Sequence, residues 1–283
     1  MGQQIHWFPG HMSKALNEVE SKVKLVDVII ELFDARAPLS SINENLEKLT
    51  VNKKKLIVLT KIDLADPEQT KKWANELNKK YDSVICLDLK KNNAEIALSK
   101  AAIELGKDKW AKEIAKGMKP QPIRAMIIGI PNVGKSSLIN RLAKRKAAGV
   151  QNKPGYTRGE QWIKVNKDFL LLDTPGILPM NYENQKKAAN LALIGAIREE
   201  ILPNEKLGEY LLTFLKEHYP DSLFERFDIK EIGDRIAVLN QIAERRKVVT
   251  SIGENDLIRA EALLLKELKD GLLGNISLEW YES

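Results

Sequence analysis

The segment Gly129-Ile-Pro-Asn-Val-Gly-Lys-Ser-Ser137 has the spacing G-x-x-x-x-G-K-[ST], whose backbone N–H groups cradle phosphates. Its contacts are read as Asn132, Val133, Gly134, Lys135, Ser136 and Ser137. Lys135 reaches the β- and γ-phosphates and Ser136 holds Mg²⁺. Other groups belong with it chemically. Asp173, in Asp173-Thr-Pro-Gly176, holds Mg²⁺ through water, and the Gly176 N–H meets the γ-phosphate. Thr157 supplies a second hydroxyl to Mg²⁺ and senses the γ-phosphate. In Thr60-Lys61-Ile-Asp63, the Asp63 carboxylate accepts both hydrogens on the N1 and N2 edge of guanine, a pair adenine lacks. A buried carboxylate left unpaired penalises the wrong base, so the expected ligands are GTP and GDP.

This chemistry requires each group at the end of a strand. Ala125-Met-Ile-Ile128 reads as the strand entering the phosphate loop, and 137–142 as the helix leaving it. Further apolar runs at 27–33, 55–60, 84–87, 161–165 and 169–173 read as strands, with helices over 67–78 and 94–105. Strands alternating with helices imply an α/β fold: a mostly parallel six-stranded sheet with helices on both faces. Cys86, in an apolar strand, is expected to be buried rather than nucleophilic. Upstream, Trp7-Phe-Pro-Gly-His-Met12 reads as a turn, with Ser13 capping the next helix. His11 stands at the mouth of that turn, where a lone histidine is usually structural or exposed. Gly117-Met-Lys-Pro-Gln-Pro122 reads as a linker. Helices are expected over 185–200, 206–218, 234–247 and 256–271, giving two domains, 1–178 and an all-α 179–283.

The composition is that of an ordinary soluble protein, 43% hydrophobic and 30% charged. No apolar run is long enough to span a membrane and no signal peptide is recognisable, so the cytoplasm and no membrane partner are expected. A single cysteine excludes an internal disulfide. The net charge of +6 is unevenly spread. Residues 107–167 hold 15 basic and 3 acidic side chains, whereas residues 180–283 hold 14 and 19. The basic stretch includes Lys144-Arg145-Lys146 and flanks the phosphate loop, which suggests a polyanionic partner as readily as a solvated face.

The order of the motifs is unusual. The base reader at 60–63 precedes the phosphate loop, and Asp173–Gly176 comes last. This resembles a circularly permuted GTPase, with 117–122 as the join between the original ends. The γ-phosphate loop then runs into the helical region, so hydrolysis can move that region. Taken with Trp7–Met12, Asp34-Ala-Arg36-Pro38, Pro154-Gly155, Asp256, Arg259-Ala260 and Gly271-Leu-Leu-Gly274, the pattern resembles the bacterial ribosome biogenesis GTPase A family.

The resemblance implies GTP hydrolysis and a partner in ribosomal RNA of an immature large (50S) subunit, with no DNA. It assigns His11 to the attacking water, since Ile177 stands where many GTPases carry a water-orienting glutamine. It marks Asn132 as a ligand for K⁺ against the phosphates. Thr60 replaces the usual asparagine, so its brace to the phosphate loop is expected to be weaker than asparagine's. Asp88 and Leu89 stand where the guanine backstop is expected. The net-acidic helical domain leaves Arg245-Arg246-Lys247 as its RNA contact. Two other readings stay open at this point: a switch recruiting a protein through the helical domain, and a binding module with negligible hydrolysis.

Overall fold

The strands β1 (Val28–Asp34), β2 (Lys54–Thr60), β3 (Ser83–Cys86), β4 (Ile123–Gly129), β5 (Trp162–Asn166) and β6 (Phe169–Leu172) form one sheet in the order β3-β2-β1-β4-β6-β5. The computed structural model describes residues 9–91, 93–144, 162–172, 177, 184–197, 202–230 and 232–282; of residues 9–12, 143 and 144 it describes the backbone alone. Neighbouring strands run parallel except β5, which pairs antiparallel with β6 at one edge. The phosphate-loop strand β4 lies at the centre of the sheet, beside β1.

Helices α1 (Pro9–Val23), α2 (Pro38–Ser41), α3 (Glu44–Leu49), α4 (Pro67–Lys80), α5 (Ala94–Gly106), α6 (Asp108–Ala115) and α7 (Lys135–Lys144) accompany the sheet. Alternation along the strands sorts them by face. Val28, Ile30, Leu32, Ala125 and Ile127 share a core with α5 and α7 residues such as Leu98 and Leu138. Ile29, Met126, Ile128 and Leu172 pack on the other face against Val19 of α1 and Leu46 of α3. Helices α8 (Gln185–Leu193), α9 (Asn204–His218), α10 (Ser222–Phe227), α11 (Arg235–Arg246) and α12 (Leu257–Lys269) follow. Their core residues, including Leu191, Leu211, Leu239 and Leu264, belong to the same cluster as Val28 and Ile127. The expected boundary at 178/179 lies outside the described residues.

Several local expectations need correction. Helix α1 begins at Pro9, with proline in its first turn where no N–H partner is needed, so Ser13 is an interior residue and not a cap. Cys86 lies on the edge strand and is exposed, because β3 has a neighbour on one side only. The helix expected over 185–200 stops at Leu193, where Gly195 takes φ +76°. Short helices α2, α3, α6 and α10 carried too little periodicity to be read from the sequence.

After α12 the chain returns to the sheet as an extended tail. The Ile276 N–H donates to Leu64 O at 3.1 Å and the Leu278 N–H to Arg36 O at 2.7 Å. The Glu279 carboxylate accepts from the Ser40 N–H at 2.8 Å, while Trp73 Nε1 donates to Glu279 O at 2.8 Å.

One buried group works against the fold. Glu31, in the middle of β1, is 0% exposed and neither carboxylate oxygen has a hydrogen-bond partner. Burial, opposed by Lys55, pushes its pKa up to about 8. The unfolded chain ionises near 4.5 while the folded chain keeps its proton, so stability falls as pH rises from 4.5 towards 8 and levels off above that. The full loss is roughly 3–5 kcal/mol. Glu31→Gln removes the titration. Its melting temperature should gain steadily on wild type between pH 5 and 8.5, and a gap that stays constant with pH would show that Glu31 does not titrate in this way.

Candidate nucleotide-binding site

In a parallel α/β sheet, ligands bind beyond the carboxyl ends of the strands. Asp34 closes β1, Thr60 closes β2 and Gly129 closes β4, all at that edge. The phosphate loop follows Gly129 and is pinned by burying Ile130 and Val133, each 1% exposed, in the core. The loop and the first turn of α7 present Asn132, Gly134, Lys135, Ser136 and Ser137 to a cavity of about 410 Å³. Gly134 takes φ +104°, and a Cβ there would meet Leu89 Cδ1 at 2.8 Å. A Cβ on Gly129, φ +154°, would meet Leu32 O at 2.9 Å, a backbone atom that cannot yield. Helix α7 starts at Lys135, which aims its N-terminus at the cavity. The exposed Ser136 hydroxyl in that first turn is a hard oxygen donor of the kind Mg²⁺ takes.

The base-reading loop lies against this one. Thr60 Oγ1, fully buried, donates to Val133 O at 2.6 Å. A brace between the two loops is therefore present: the threonine hydroxyl reaches the phosphate loop directly. Lys61 and Asn132 have left-handed backbones, φ +54° and +57°. For non-glycine residues this costs about 1 kcal/mol each and is held in place by the surrounding bonds. Lys61 Nζ pairs with Asp34 Oδ2 at 3.4 Å. Asp34 in turn takes Arg36 Nε at 2.9 Å and Nη2 at 2.8 Å on its two oxygens. Burial alone would raise the Asp34 pKa, but the Arg36 guanidinium and Lys61 hold it below the ordinary carboxylate value.

Asp63 faces the loop after β3. Its Oδ2 pairs with Lys90 Nζ at 2.6 Å. That lysine is 77% exposed, so the pair is worth at most about 1 kcal/mol and a stronger partner for Asp63 can displace it. Asp88 Oδ1 accepts from the Lys90 N–H at 2.8 Å, and the Leu89 carbonyl accepts from Arg141. The segment expected to back the guanine thus stands next to both Asp63 and Gly134. Lys90 was missed by sequence reasoning; its only signal was its place directly after Asp88-Leu89.

Two expected roles look different in the structure. Asn132 Nδ2 donates to Gly195 O at 2.8 Å, which leaves Oδ1 as the atom that can meet K⁺. Arg245 pairs with Asp228 at 2.7 Å; Arg246 lies 3.6 Å from Glu267 and over the Phe227 ring, so both are engaged within the helical region, beside Lys247 at the end of α11. Ile177 is 1% exposed in the core with Val19 and Ile29; its N–H donates to Gly129 O at 3.1 Å and Asn43 Nδ2 donates to its carbonyl at 3.3 Å. His11 lies in the first turn of α1, but its side chain and that of Lys144 are outside the described residues, as are Arg145, Lys146, Thr157, Asp173 and Gly176.

Residues 124–241 match a family described as 50S ribosome-binding GTPase. The match starts at the phosphate-loop strand and leaves out the base reader at 60–63. The ribosome biogenesis GTPase A of Bacillus cereus is 43% identical over 276 residues, covering 97% of this chain and 93% of that protein. The chain belongs to the ribosome biogenesis GTPase A family. A solved structure described as GDP-bound YlqF aligns with TM-score 0.68 at 25% identity, covering 94% of this chain and 100% of that one. A GNP-bound YlqF from Thermotoga maritima aligns with TM-score 0.65 at 26% identity, covering 94% and 97%. Membership of the ribosome biogenesis GTPase A family makes this chain a GTPase that takes GTP and GDP.

The bond from Thr60 to the phosphate loop gives a direct test. Thr60→Val keeps the shape but removes the donor, leaving Val133 O buried and unpaired at a cost of about 1–3 kcal/mol. Urea unfolding should shift by that amount and GDP should bind several-fold more weakly in equilibrium titration. An unchanged urea midpoint together with unchanged GDP affinity would mean the bond holds nothing.

Proposed function

We propose that this chain is a GTP-hydrolysing assembly factor for the large (50S) ribosomal subunit, acting late, bound to ribosomal RNA in its GTP state and released on hydrolysis. The observation that carries the nucleotide part is the joining of the base-reading and phosphate loops at one sheet edge by Thr60 and Val133. Family membership supports the ribosomal part.

In this reading Lys135 and the loop N–H groups hold the phosphates, and Asp63 reads the guanine. Ser136 with Thr157, and Asp173 through water, hold Mg²⁺, which neutralises charge on the phosphates when bound. Asn132 Oδ1 holds K⁺. Ile177 is turned into the core and cannot hydrogen-bond water, so the attacking water is left to His11. Helix α1 packs through Val19 on the cluster that also takes Ile177, which favours the assignment. Lys144, Arg145 and Lys146 attract RNA phosphates, and the chain works in the cytoplasm. Among the described residues no helix is long and apolar enough to cross a membrane.

A second reading has one observation in its favour. Arg245 and Arg246 pair with Asp228 and Glu267 at the surface of a region that is net acidic, which suits a switch that recruits a protein. Co-sedimentation with large subunits separates the two: RNA-phosphate binding should weaken steeply between low and moderate salt.

The primary test is GTP turnover in KCl and in NaCl, with and without purified large subunits. Subunits should stimulate hydrolysis at least tenfold, and K⁺ should outperform Na⁺. No stimulation, with GTP still bound, would favour the switch. His11→Ala should lower stimulated kcat by about 10²–10⁴ with GTP affinity retained; normal stimulated turnover would remove His11 from the mechanism. Asp63→Asn offers one donor and one acceptor, matching xanthine instead of guanine. It should lose GTP affinity by more than about 100-fold and gain XTP; retained GTP preference would mean that Asp63 does not read the base.

A further inference from the structure

The helical region meets both nucleotide loops through the carbonyl ends of two of its helices. At the end of α8, Ile194 O accepts from Arg36 Nη2 at 3.1 Å and Gly195 O accepts from Asn132 Nδ2 at 2.8 Å. At the end of α12, Lys269 O accepts from Arg36 Nη1 at 3.4 Å. Gly271, φ +74°, lies so close to the residue after the base reader that a Cβ would meet Leu64 Cδ2 at 2.6 Å. The tail beyond it donates from Ile276 to Leu64 O.

Arg36 is the crossing point. It is 3% exposed, bonds both helix ends, and holds Asp34, the carboxylate that pairs with Lys61. Helix C-termini carry partial negative charge, which a guanidinium with its fixed fork of donors satisfies at several carbonyls at once. We propose that Arg36 is a positioning residue. In this role it couples the seating of α8 and α12 to the geometry of the base-reading loop, while Asn132 carries the same coupling to the phosphate loop. Nucleotide affinity and helical seating then depend on one another, because linkage between two sites is reciprocal. The inference rests on guanine-nucleotide binding at this site and adds the means by which occupancy reaches the helical region.

The test combines GDP titration with hydrogen exchange on the full chain. In the wild type, GDP should slow amide exchange at 190–197 and 266–272. Arg36→Met should weaken GDP binding about 5- to 100-fold and abolish that protection. Arg36→Lys, which cannot reproduce the fork, should recover part of both. Arg235→Met is the control for mere destabilisation: it cuts the Arg235–Glu261 pair inside the helical region, about two helical turns before Lys269 and outside the 266–272 readout, and should bind GDP within about twofold of wild type with protection retained. A folded Arg36→Met that binds GDP normally overturns the proposal. Should that variant fail to fold, wild-type exchange decides: GDP-dependent protection at 190–197 supports the coupling, and its absence overturns it. A wild type that takes up no GDP would instead sink the nucleotide reading itself.

Discussion

A carboxylate buried at the end of the central strand sets the terms for the whole site. Asp34 is 1% exposed, and a charge so placed persists only if paired and hydrogen-bonded. Arg36 meets both of its oxygens and Lys61 approaches one, so the acid stays ionised. Three residues earlier, on the opposite face of the same strand, Glu31 is equally buried, lacks any hydrogen-bond partner and keeps its proton up to about pH 8. The contrast shows what the pairing does. Where a guanidinium is within reach, the buried charge becomes a fixed point from which a loop can be positioned. Where none is, the chain carries a stability cost that no contact returns.

From that fixed point two loops are held in register. Lys61 ties the base reader to Asp34, and the Thr60 hydroxyl ties it to the phosphate loop at Val133. The second of these bonds joins segments 73 residues apart in sequence. They also help hold two left-handed residues of these loops, Lys61 and Asn132, in backbones that neither would choose alone. Local strain of this kind persists only where neighbours determine it.

Legibility from sequence followed how local each signal is. The phosphate loop, the strands around it and the base reader declare themselves by residue type and short spacing, and the structure places them at one edge. Edge effects were not legible. Cys86 is exposed because nothing pairs beyond β3, a fact of strand order that a five-residue window cannot contain. The Thr60 brace could not be read from the sequence because it depends on a 2.6 Å approach to Val133 O, 73 residues away. Arg36 and Asn132 were visible as motif members, yet their bonds to Ile194 and Gly195 cross more than sixty residues of sequence. Lys90 lay in plain view but carried no signal until Asp63 was seen beside it.

The permuted order itself follows from where the sheet puts its ends. Function gathers at the carboxyl edge, where β1, β2 and β4 deliver Asp34, Thr60 and Gly129. The candidate join at 117–122 enters β4 at Ile123, the amino end of that strand, and so lies across the full length of the sheet from the phosphates. Gly117 takes φ +71° with open space around it, as a surface turn allows. A connection made there changes which segment is synthesised first and leaves every bond at the opposite edge as it was. What the new order does alter is the exit from β6. Among the described residues no strand follows β6, and the chain leads from Leu172 to the helical region. The segment expected from sequence to meet the γ-phosphate, 173–176, thereby precedes α8 in sequence. If that expectation holds, the bonds at Arg36 and Asn132 fasten a helix end that the nucleotide-sensing segment leads into; in an unpermuted chain they would fasten it without such a segment.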